Sequence, residues 1–181
     1  MLQKRRVQVP QGAREMAKLK SFDKYSDQNI DQLLSLEGEY RIDSLLAAME
    51  QAIGQKAARE GDGSLSAEER VVLAVEALQR EINNGGYDQF FVNSSREYAP
   101  MIVDTLARIG CPKTSEITRN ALDVLGLADL DEESIEAAMD ADSDERDEEL
   151  ARCDDAYYQS GEDLDAALFA FVKANRVSIK F

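Results

Sequence analysis

Carboxylates are the side chains of this sequence that could do chemistry, because its 181 residues include 36 Asp and Glu but no His. Without His, a Ser–His or Cys–His nucleophile and an H-E-x-x-H zinc site are excluded. The motifs G-x-S-x-G and G-x-x-x-x-G-K-[ST] do not occur either. An enzyme would have to work with carboxylates, Lys, Tyr or an oxygen-bound metal, so we expect that this protein is not an enzyme.

The two cysteines, Cys111 and Cys153, stand alone in the sequence, and neither belongs to a C-x-x-C motif. A structural zinc site needs four Cys or His ligands, so no such site is predicted. The basic N-terminus is not followed by the apolar stretch of a signal peptide. Isolated cysteines in such a chain are typical of reduced thiols, and we expect a cytoplasmic protein.

Two acidic stretches approach the pattern of an EF-hand calcium loop, and both are incomplete. Residues 58–69 have Ala58 where the first carboxylate ligand is needed. Residues 140–151 have Glu145 where the loop needs glycine and Ala151 where it needs the last carboxylate. We therefore expect neither a metal nor a cofactor.

Charge is concentrated in two parts of the chain, whose net charge is −15. Residues 1–25 form a basic N-terminal arm with seven Lys and Arg against two acids. Residues 129–165 form an acidic region with seventeen Asp and Glu against two Arg. Because so acidic a chain repels phosphate and attracts basic surfaces, we expect a basic protein partner and no direct binding of nucleic acid. No apolar run reaches the ~18 residues of a membrane-spanning helix, so no membrane association is expected.

The acidic region contains the candidate partner-binding residues. Leu150, Cys153 and Tyr157 have helical spacing and should face inward, which leaves the acids around them at the surface. The candidate partner-binding residues are Asp142, Asp144, Glu145, Asp147, Glu148, Glu149, Asp154 and Asp155. Those predicted to point most directly outward are Asp144, Asp147, Glu148, Asp154 and Asp155. The alternative interpretation is an ordinary solvated acidic face with a loose loop around residues 140–144.

Hydrophobic periodicity is helical along almost the whole chain and predicts an all-α fold. Apolar stripes at helical spacing occur near residues 30–36, 42–53, 71–82, 102–109, 117–125, 150–157 and 164–172. The only strand signal is the alternating VSIKF of residues 177–181. We predict one all-helical domain, residues 26–181, built as a bundle of seven to nine helices with helix-turn-helix pairs.

The stretch EINNGGYDQFFVNSS, residues 81–95, places two Asn and two Gly directly before three aromatic residues. Gly85, Gly86 or both should have positive φ and turn the chain between two helices. The three rings fall at i, i+3 and i+4, so they should be buried together on the second helix. The motif residues are Asn84, Gly85, Gly86, Tyr87, Gln89, Phe90, Phe91 and Asn93. Their amides, with that of Asn83, could bond exposed backbone groups. The pattern favours a structural corner, and the alternative is an amide-rich ligand pocket.

The run NGGYDQFFVNSS, with Glu81 before it and EYAPMIVDTLARIG after it, resembles the C-terminal domain of the acidic DNA-mimic protein family. The shared pattern is N-G-G, an aromatic, Gln, an aromatic and Asn, and the resemblance covers about residues 35–126. It implies an all-helical fold. The characterised type of that family is an acidic homodimer that imitates the charge of DNA and occupies the DNA site of a transcription regulator. The mimicking acids have no motif, so none is transferred residue by residue.

Together, the charge and the resemblance predict a non-enzymatic binder that covers the DNA-binding face of a basic protein such as a transcription regulator. A homodimer is compatible with this function. Two alternatives are an inhibitor of a basic nuclease or toxin, and a small hydrolase or ligand-binding domain with its site at the Asn-Gly-Gly corner. A DNA mimic needs acids on one exposed face, whereas an enzyme needs a concave site with convergent polar groups.

Overall fold

A computed structural model describes residues 19–181, and within that range the chain forms eight α-helices. They are α1 (Ile30–Leu34), α2 (Ile42–Glu60), α3 (Ala67–Val92), α4 (Ala99–Ile109), α5 (Pro112–Val124), α6 (Glu132–Asp140), α7 (Asp144–Gln159) and α8 (Leu164–Asn175). Two 3-10 turns, Asp62–Ser64 and Ser94–Tyr98, precede α3 and α4. Over these residues the predicted all-α bundle of seven to nine helices is confirmed.

Several helices begin or end at residues that cap them. Ser66 Oγ accepts a hydrogen bond from Glu69 N at 3.1 Å, and Glu69 Oε2 accepts one from Ser66 N at 2.8 Å. This capping box satisfies two backbone amides at the start of α3. Gly110, with φ of 92°, ends α4, and Pro112 begins α5 at once. Side chains also cap the last three helices, from Asp131, Ser143 and Asp163.

Helix α3 is the centre of the bundle. It packs against α2, α4, α6, α7 and α8, while α5 packs on α4 and α7. The stripes predicted from the sequence supply the core, in which Leu45, Met49, Leu78, Ile102 and Leu168 are fully buried. Each such side chain stabilises the fold by about 1.5–3 kcal/mol. None of the helices described here is long and apolar enough to cross a membrane.

The predicted basic arm is described only from residue 19 onward, and residues 1–18 lie outside the described residues. The described part packs on the bundle. Phe22 N donates to Ser44 Oγ at 2.9 Å, and the Phe22 ring meets Tyr40 edge-on with ring centroids 5.3 Å apart. These contacts attach the segment to the start of α2.

The C-terminal VSIKF segment forms no strand, although its residues alternate. Ile179 is buried in the core, and Lys180 N donates to Glu69 Oε1 at 2.7 Å. Val177 and Ser178 form a turn after α8, and Val177 is exposed, so the alternation of the sequence does not correspond to one buried side of the segment.

Candidate partner-binding surface

The glycine corner is a break inside α3. Gly85 has φ −178° and ψ 21°, and Gly86 has φ 83° and ψ −169°. The predicted positive φ is therefore confirmed at Gly86 and does not occur at Gly85. A Cβ atom on Gly86 would lie 2.1 Å from Oδ2 of Asp154. Gly86 is required both for its backbone conformation and for the close approach of a carboxylate from α7.

The three rings after the corner are buried, as predicted. Tyr87, Phe90 and Phe91 have no exposed surface. The hydroxyls of Tyr87 and Thr118 share a hydrogen bond of 2.7 Å, which joins α3 to α5. Burial raises the pKa of the Tyr87 phenol, so this group stays neutral. The rings fix the second half of α3 against the rest of the bundle.

Helix α7 supplies the hydrogen bonds that the break in α3 requires. A helix that is interrupted leaves amide and carbonyl groups without their usual partners. Asp154 Oδ1 accepts from Tyr87 N at 2.8 Å, and the Tyr158 hydroxyl donates to Ile82 O at 2.9 Å. Asp154 and Tyr158 are four residues apart and share one face of α7. The negative Asp154 also lies at the amide end of the second half-helix, where a negative charge is favoured.

Two side-chain amides of the motif, those of Asn93 and Gln89, bond to side chains. For these two, the prediction that they bond to backbone groups is wrong. Asn93 Nδ2 donates to Glu81 Oε2 at 2.6 Å and to Gln89 Oε1 at 3.5 Å. Ser95 Oγ donates to the other oxygen of Glu81 at 2.8 Å. Asn84 is exposed. The backbone groups of Tyr87 and Ile82 at the corner bond to side chains of α7. The Asn93 amide bonds to the buried Glu81 carboxylate instead.

The inward stripe predicted for α7 is confirmed. Leu150 is 1% exposed, and Cys153 and Tyr157 are half-buried beside it. Six of the candidate acids are exposed: Asp142, Asp144, Glu145, Asp147, Glu148 and Asp155. Glu149 is half-buried.

The prediction that Asp154 points outward is wrong. Its carboxylate is half-buried and turned toward Tyr87. Burial raises the pKa of Asp154, and the nearby charges of Asp88 and Asp155 act in the same direction, whereas the hydrogen bond from Tyr87 N opposes them. Asp154 is therefore part of the corner, and Asp155 beside it is part of the surface.

The connection between α6 and α7 is held by one arginine. Arg146 Nη1 donates to the carbonyl oxygens of Ala138 and Ala141, at 2.6 Å each. Arg146 also pairs with Asp147 at 2.9 Å, and its side chain is only 12% exposed. These bonds tie the N-terminal end of α7 to the end of α6.

Part of the acidic charge on α7 is balanced within the helix. Arg152 pairs with Glu149 and lies 3.6 Å from Glu148. Across residues 19–181, by contrast, no ion pair involves Asp142, Asp144, Glu145 or Asp155. These four acids carry uncompensated negative charge at the surface.

The start of α7 has a charge density close to that of duplex DNA. Five acids occur within residues 144–149. Six residues of α-helix rise about 9 Å, which corresponds to roughly one acid per 2 Å. Duplex DNA carries one phosphate per about 1.7 Å of its axis. One of these five acids, Glu149, is half-buried, and Arg146 and Arg152 pair with three of the five, so the density is DNA-like for the acids and lower for the net charge.

A comparison with protein families gave a match over more than half of the chain. Residues 63–175 match the model of the family described as DMP19-like protein. The chain belongs to this family. The match runs from the turn before α3 to the end of α8, so it includes the glycine corner and the acidic region. It confirms the resemblance to the DNA-mimic family, over a range that begins later and ends later than the residues 35–126 inferred from the sequence. A search of curated proteins found no match.

The incomplete calcium loop of this DMP19-like chain has a different structural role. Glu69 is fully buried and accepts from Lys56 Nζ at 2.8 Å, in addition to its bonds with Ser66 N and Lys180 N. The carboxylate that would close a calcium loop is thus occupied by protein donors. Over residues 19–181, no three or more Cys, Asp and Glu side chains are grouped as metal ligands would be.

The sequence analysis did not predict which acids of this DMP19-like chain accept hydrogen bonds that hold its helices together. Glu162 accepts from Lys113 N at 3.1 Å and from Thr114 N at 2.8 Å, and so caps α5 from the loop before α8. Glu81 and Asp154 also accept hydrogen bonds from protein groups, Glu81 from the side chains of Asn93 and Ser95 and Asp154 from Tyr87 N. For Asp154 a local signal existed, because Asp154 and Tyr158 share the helical spacing of one face. For Glu162 no signal was present in the neighbouring sequence.

Proposed function

We propose that this protein is a non-enzymatic binding module that covers the DNA-binding face of a basic protein, such as a transcription regulator. The binding surface is the outer face of α7 with the end of the α6–α7 connection, and we name it the α7 surface. It comprises Asp142, Asp144, Glu145, Asp147, Glu148, Glu149 and Asp155. The observation that carries the proposal is the dense row of acids at the start of α7, of which Asp144, Glu145, Asp147 and Glu148 are exposed.

The α7 surface is supported from behind, which favours binding to a rigid partner site. Leu150 anchors the helix in the core, and Asp154 and Tyr158 bond it to the corner of α3. Arg146 fixes its N-terminal connection. A preorganised row of charges loses less conformational freedom on binding than a loose acidic loop would lose.

Membership of the DMP19-like family supports the same function, because the resemblance implies DNA mimicry. It also implies a homodimer, which we include in the proposal. Two α7 surfaces related by a twofold axis would face the two half-sites that a dimeric DNA-binding protein presents. Light scattering over a range of protein concentrations tests the dimer separately from the binding.

The first experiment identifies the partner and asks whether DNA competes. The protein is used to capture partners from its native host at low and at moderate salt, and each partner is then tested against its own duplex DNA. We expect the protein and the DNA to exclude each other. A stable ternary complex of partner, protein and DNA would contradict the proposal. A captured nuclease or toxin, with DNA excluded in the same way, would replace the regulator as the partner class.

The second experiment tests the α7 surface by neutralising four acids. The test variant changes Asp144, Asp147, Glu148 and Asp155 to Asn or Gln. Rim charges mainly accelerate association, so this variant should bind the partner much more weakly at low salt and little differently at high salt. Salt screens charges because the Debye length falls from about 30 Å at 0.01 M to about 3 Å at 1 M.

A matched control removes the same charge elsewhere. It changes four other exposed acids, Asp23, Asp31, Glu60 and Asp104, to Asn or Gln. Both variants have the same net charge, so a shared loss of binding would mean that only total charge matters. A loss confined to the first variant assigns binding to the α7 surface.

A further inference from the structure

One aromatic side chain lies at the edge of the α7 surface. Tyr158, near the end of α7, is 60% exposed. Of the large apolar side chains that are exposed within residues 19–181, it alone is aromatic. Counted from Asp144, positions i+3, i+11 and i+14 are Asp147, Asp155 and Tyr158, so these side chains share one face of the helix. The ring of Tyr158 therefore continues the row of acids to which we assign partner binding.

The exposed Tyr158 is held in place by two contacts. Its hydroxyl donates to Ile82 O at 2.9 Å, at the break in α3. Its ring meets that of the half-buried Tyr157 at 87°, with ring centroids 5.6 Å apart. Because the hydroxyl is bonded to the backbone of α3, the group that Tyr158 offers to a partner is its ring. A side chain fixed in this way loses little conformational freedom when a partner covers it.

Two carboxylates without cationic partners lie near the ring. Asp155 precedes Tyr158 by three positions on α7, so the two side chains are neighbours on the helix surface. Asp163 and Tyr158 line the same groove, whose volume is about 450 Å³. Both aspartates are exposed, and within residues 19–181 neither forms an ion pair. Lys113 contacts another lining residue, but its Nζ donates to the Ser160 carbonyl oxygen at 3.1 Å and not to either aspartate.

We propose that Tyr158 anchors an arginine of the basic partner, whose guanidinium packs on the ring while its N–H groups bind a neighbouring carboxylate. This inference rests on the proposed function and adds a contact that is specific for one side chain. A guanidinium is planar and weakly hydrated, so it packs well on aromatic rings, whereas the lysine ammonium is a strongly hydrated point charge. Tyrosine and arginine are also enriched among the residues that dominate the binding energy of interfaces. The acids attract any basic surface, and Tyr158 discriminates among such surfaces.

The test compares two substitutions at Tyr158 that remove the same hydroxyl. Tyr158→Phe keeps the ring and Tyr158→Leu removes it, while both lose the hydrogen bond to Ile82 O. Tyr158→Phe is therefore the matched control for any effect on the break in α3, and thermal melts check that both variants are folded. The probes are a hexaarginine and a hexalysine peptide, which carry the same charge. Calorimetry at moderate salt measures their affinities for the unmodified protein and both variants.

We expect the unmodified protein and Tyr158→Phe to bind hexaarginine about threefold more tightly than Tyr158→Leu does, as one exposed contact between a cation and a ring would give. The three proteins should bind hexalysine alike. If Tyr158→Leu binds hexaarginine as tightly as Tyr158→Phe does, the proposal is overturned, because Tyr158 then serves only the fold. An equal loss for both peptides overturns it as well, because the ring then does not distinguish arginine.

The same variants separate this inference from the proposed function. In the complex with the captured partner, the loss in Tyr158→Leu should persist from low to moderate salt, because a packed ring is screened less than exposed charges are. If DNA does not compete for the partner but hexaarginine still distinguishes Tyr158→Phe from Tyr158→Leu, DNA mimicry is wrong and the arginine contact remains. If DNA competes but the two variants bind hexaarginine alike, the arginine contact is wrong and the α7 surface remains.

Discussion

Carboxylates at the helix contacts of the bundle and carboxylates on the α7 surface have the same chemistry and opposite surroundings. Glu69, Glu81 and Asp154 accept hydrogen bonds from protein groups. Asp144, Glu145 and Asp155 face solvent and form no ion pair among the described residues. The first group holds helices together, and the second group is available to a partner.

This difference shows that the net charge overstates how many acids are available at the surface for DNA mimicry. Every acid contributes equally to the value of −15. Asp154 and Asp155 are neighbours in sequence, yet one caps a broken helix and the other extends into water. The family motif is linked to the acids that hold helices together, because its double glycine makes room for Asp154. The acids proposed for binding have no motif at all.

The largest expected effect on stability concerns the buried carboxylate of Glu69. Glu69→Gln leaves Lys56 without its partner in a pair whose side chains are 0% and 12% exposed. Breaking such a pair should lower the free energy of unfolding by about 3–5 kcal/mol, measured by chemical denaturation. The control is Glu68→Gln at the next position, where the partner Arg108 is 44% exposed and solvent screens the pair. Equal losses in the two variants would contradict the distinction.

The second effect concerns the glycine that admits Asp154. Gly86→Ala combines a positive φ with a clash against the Asp154 carboxylate, and should cost about 3 kcal/mol. Gly126→Ala is the control, because Gly126 has φ of 64° and open space around it, so it should cost only about 1 kcal/mol. Adding Asp154→Ala to Gly86→Ala should cost less than the two single changes summed. Strict additivity would show that the clash is absent.

The third effect is a dependence on pH. Burial, followed by the charges of Glu50 and Asp165, raises the pKa of Glu76 from 4.5 to about 8. Because the unfolded chain loses this proton at lower pH, stability should fall as the pH rises from about 4.5 to about 8. Glu76→Gln should remove that loss, so the variant should be the more stable of the two proteins above pH ~8.

The control for Glu76 is an exposed acid of the α7 surface. Glu145→Gln is the matched variant, because it removes one carboxylate from an exposed position. Denaturation at about pH 5 and about pH 9 measures both variants. A parallel pH profile for Glu76→Gln and the unmodified protein would show that Glu76 is not the responsible group.

The smallest effect separates the two adjacent aspartates. Asp154→Ala removes the cap of the second half of α3 and should cost about 1 kcal/mol. Asp155→Ala should leave stability unchanged, since its carboxylate is exposed. For partner binding at low salt the order should reverse, with Asp155→Ala weakening it more. If Asp154→Ala is as stable as Asp155→Ala, the corner does not depend on α7.

The local sequence was sufficient to predict the helices and the aromatic residues that are buried at the glycine corner. Apolar spacing placed the stripes of α2, α3, α4, α5 and α8, and Ser66 and Glu69 have the S-x-x-E spacing of the capping box that begins α3. Periodicity and capping act within one or two turns, so a sequence carries them explicitly. The buried rings at Tyr87, Phe90 and Phe91 follow from the same spacing. The alternating VSIKF segment forms no strand, because Val177 and Ser178 form a turn after α8 and Ile179 is the one residue of the five that is fully buried.

The sequence by itself determined an all-helical, acidic chain with a glycine corner and an inward stripe on α7. Only the tertiary structure decided which acids remain available. Asp154 meets Tyr87 across 67 positions, Tyr158 meets Ile82 across 76, and Glu69 meets Lys180 across 111. A carboxylate is taken up or left in water according to the donors that the fold brings within hydrogen-bond distance. Those donors come from distant parts of the chain, where local spacing carries no information about them.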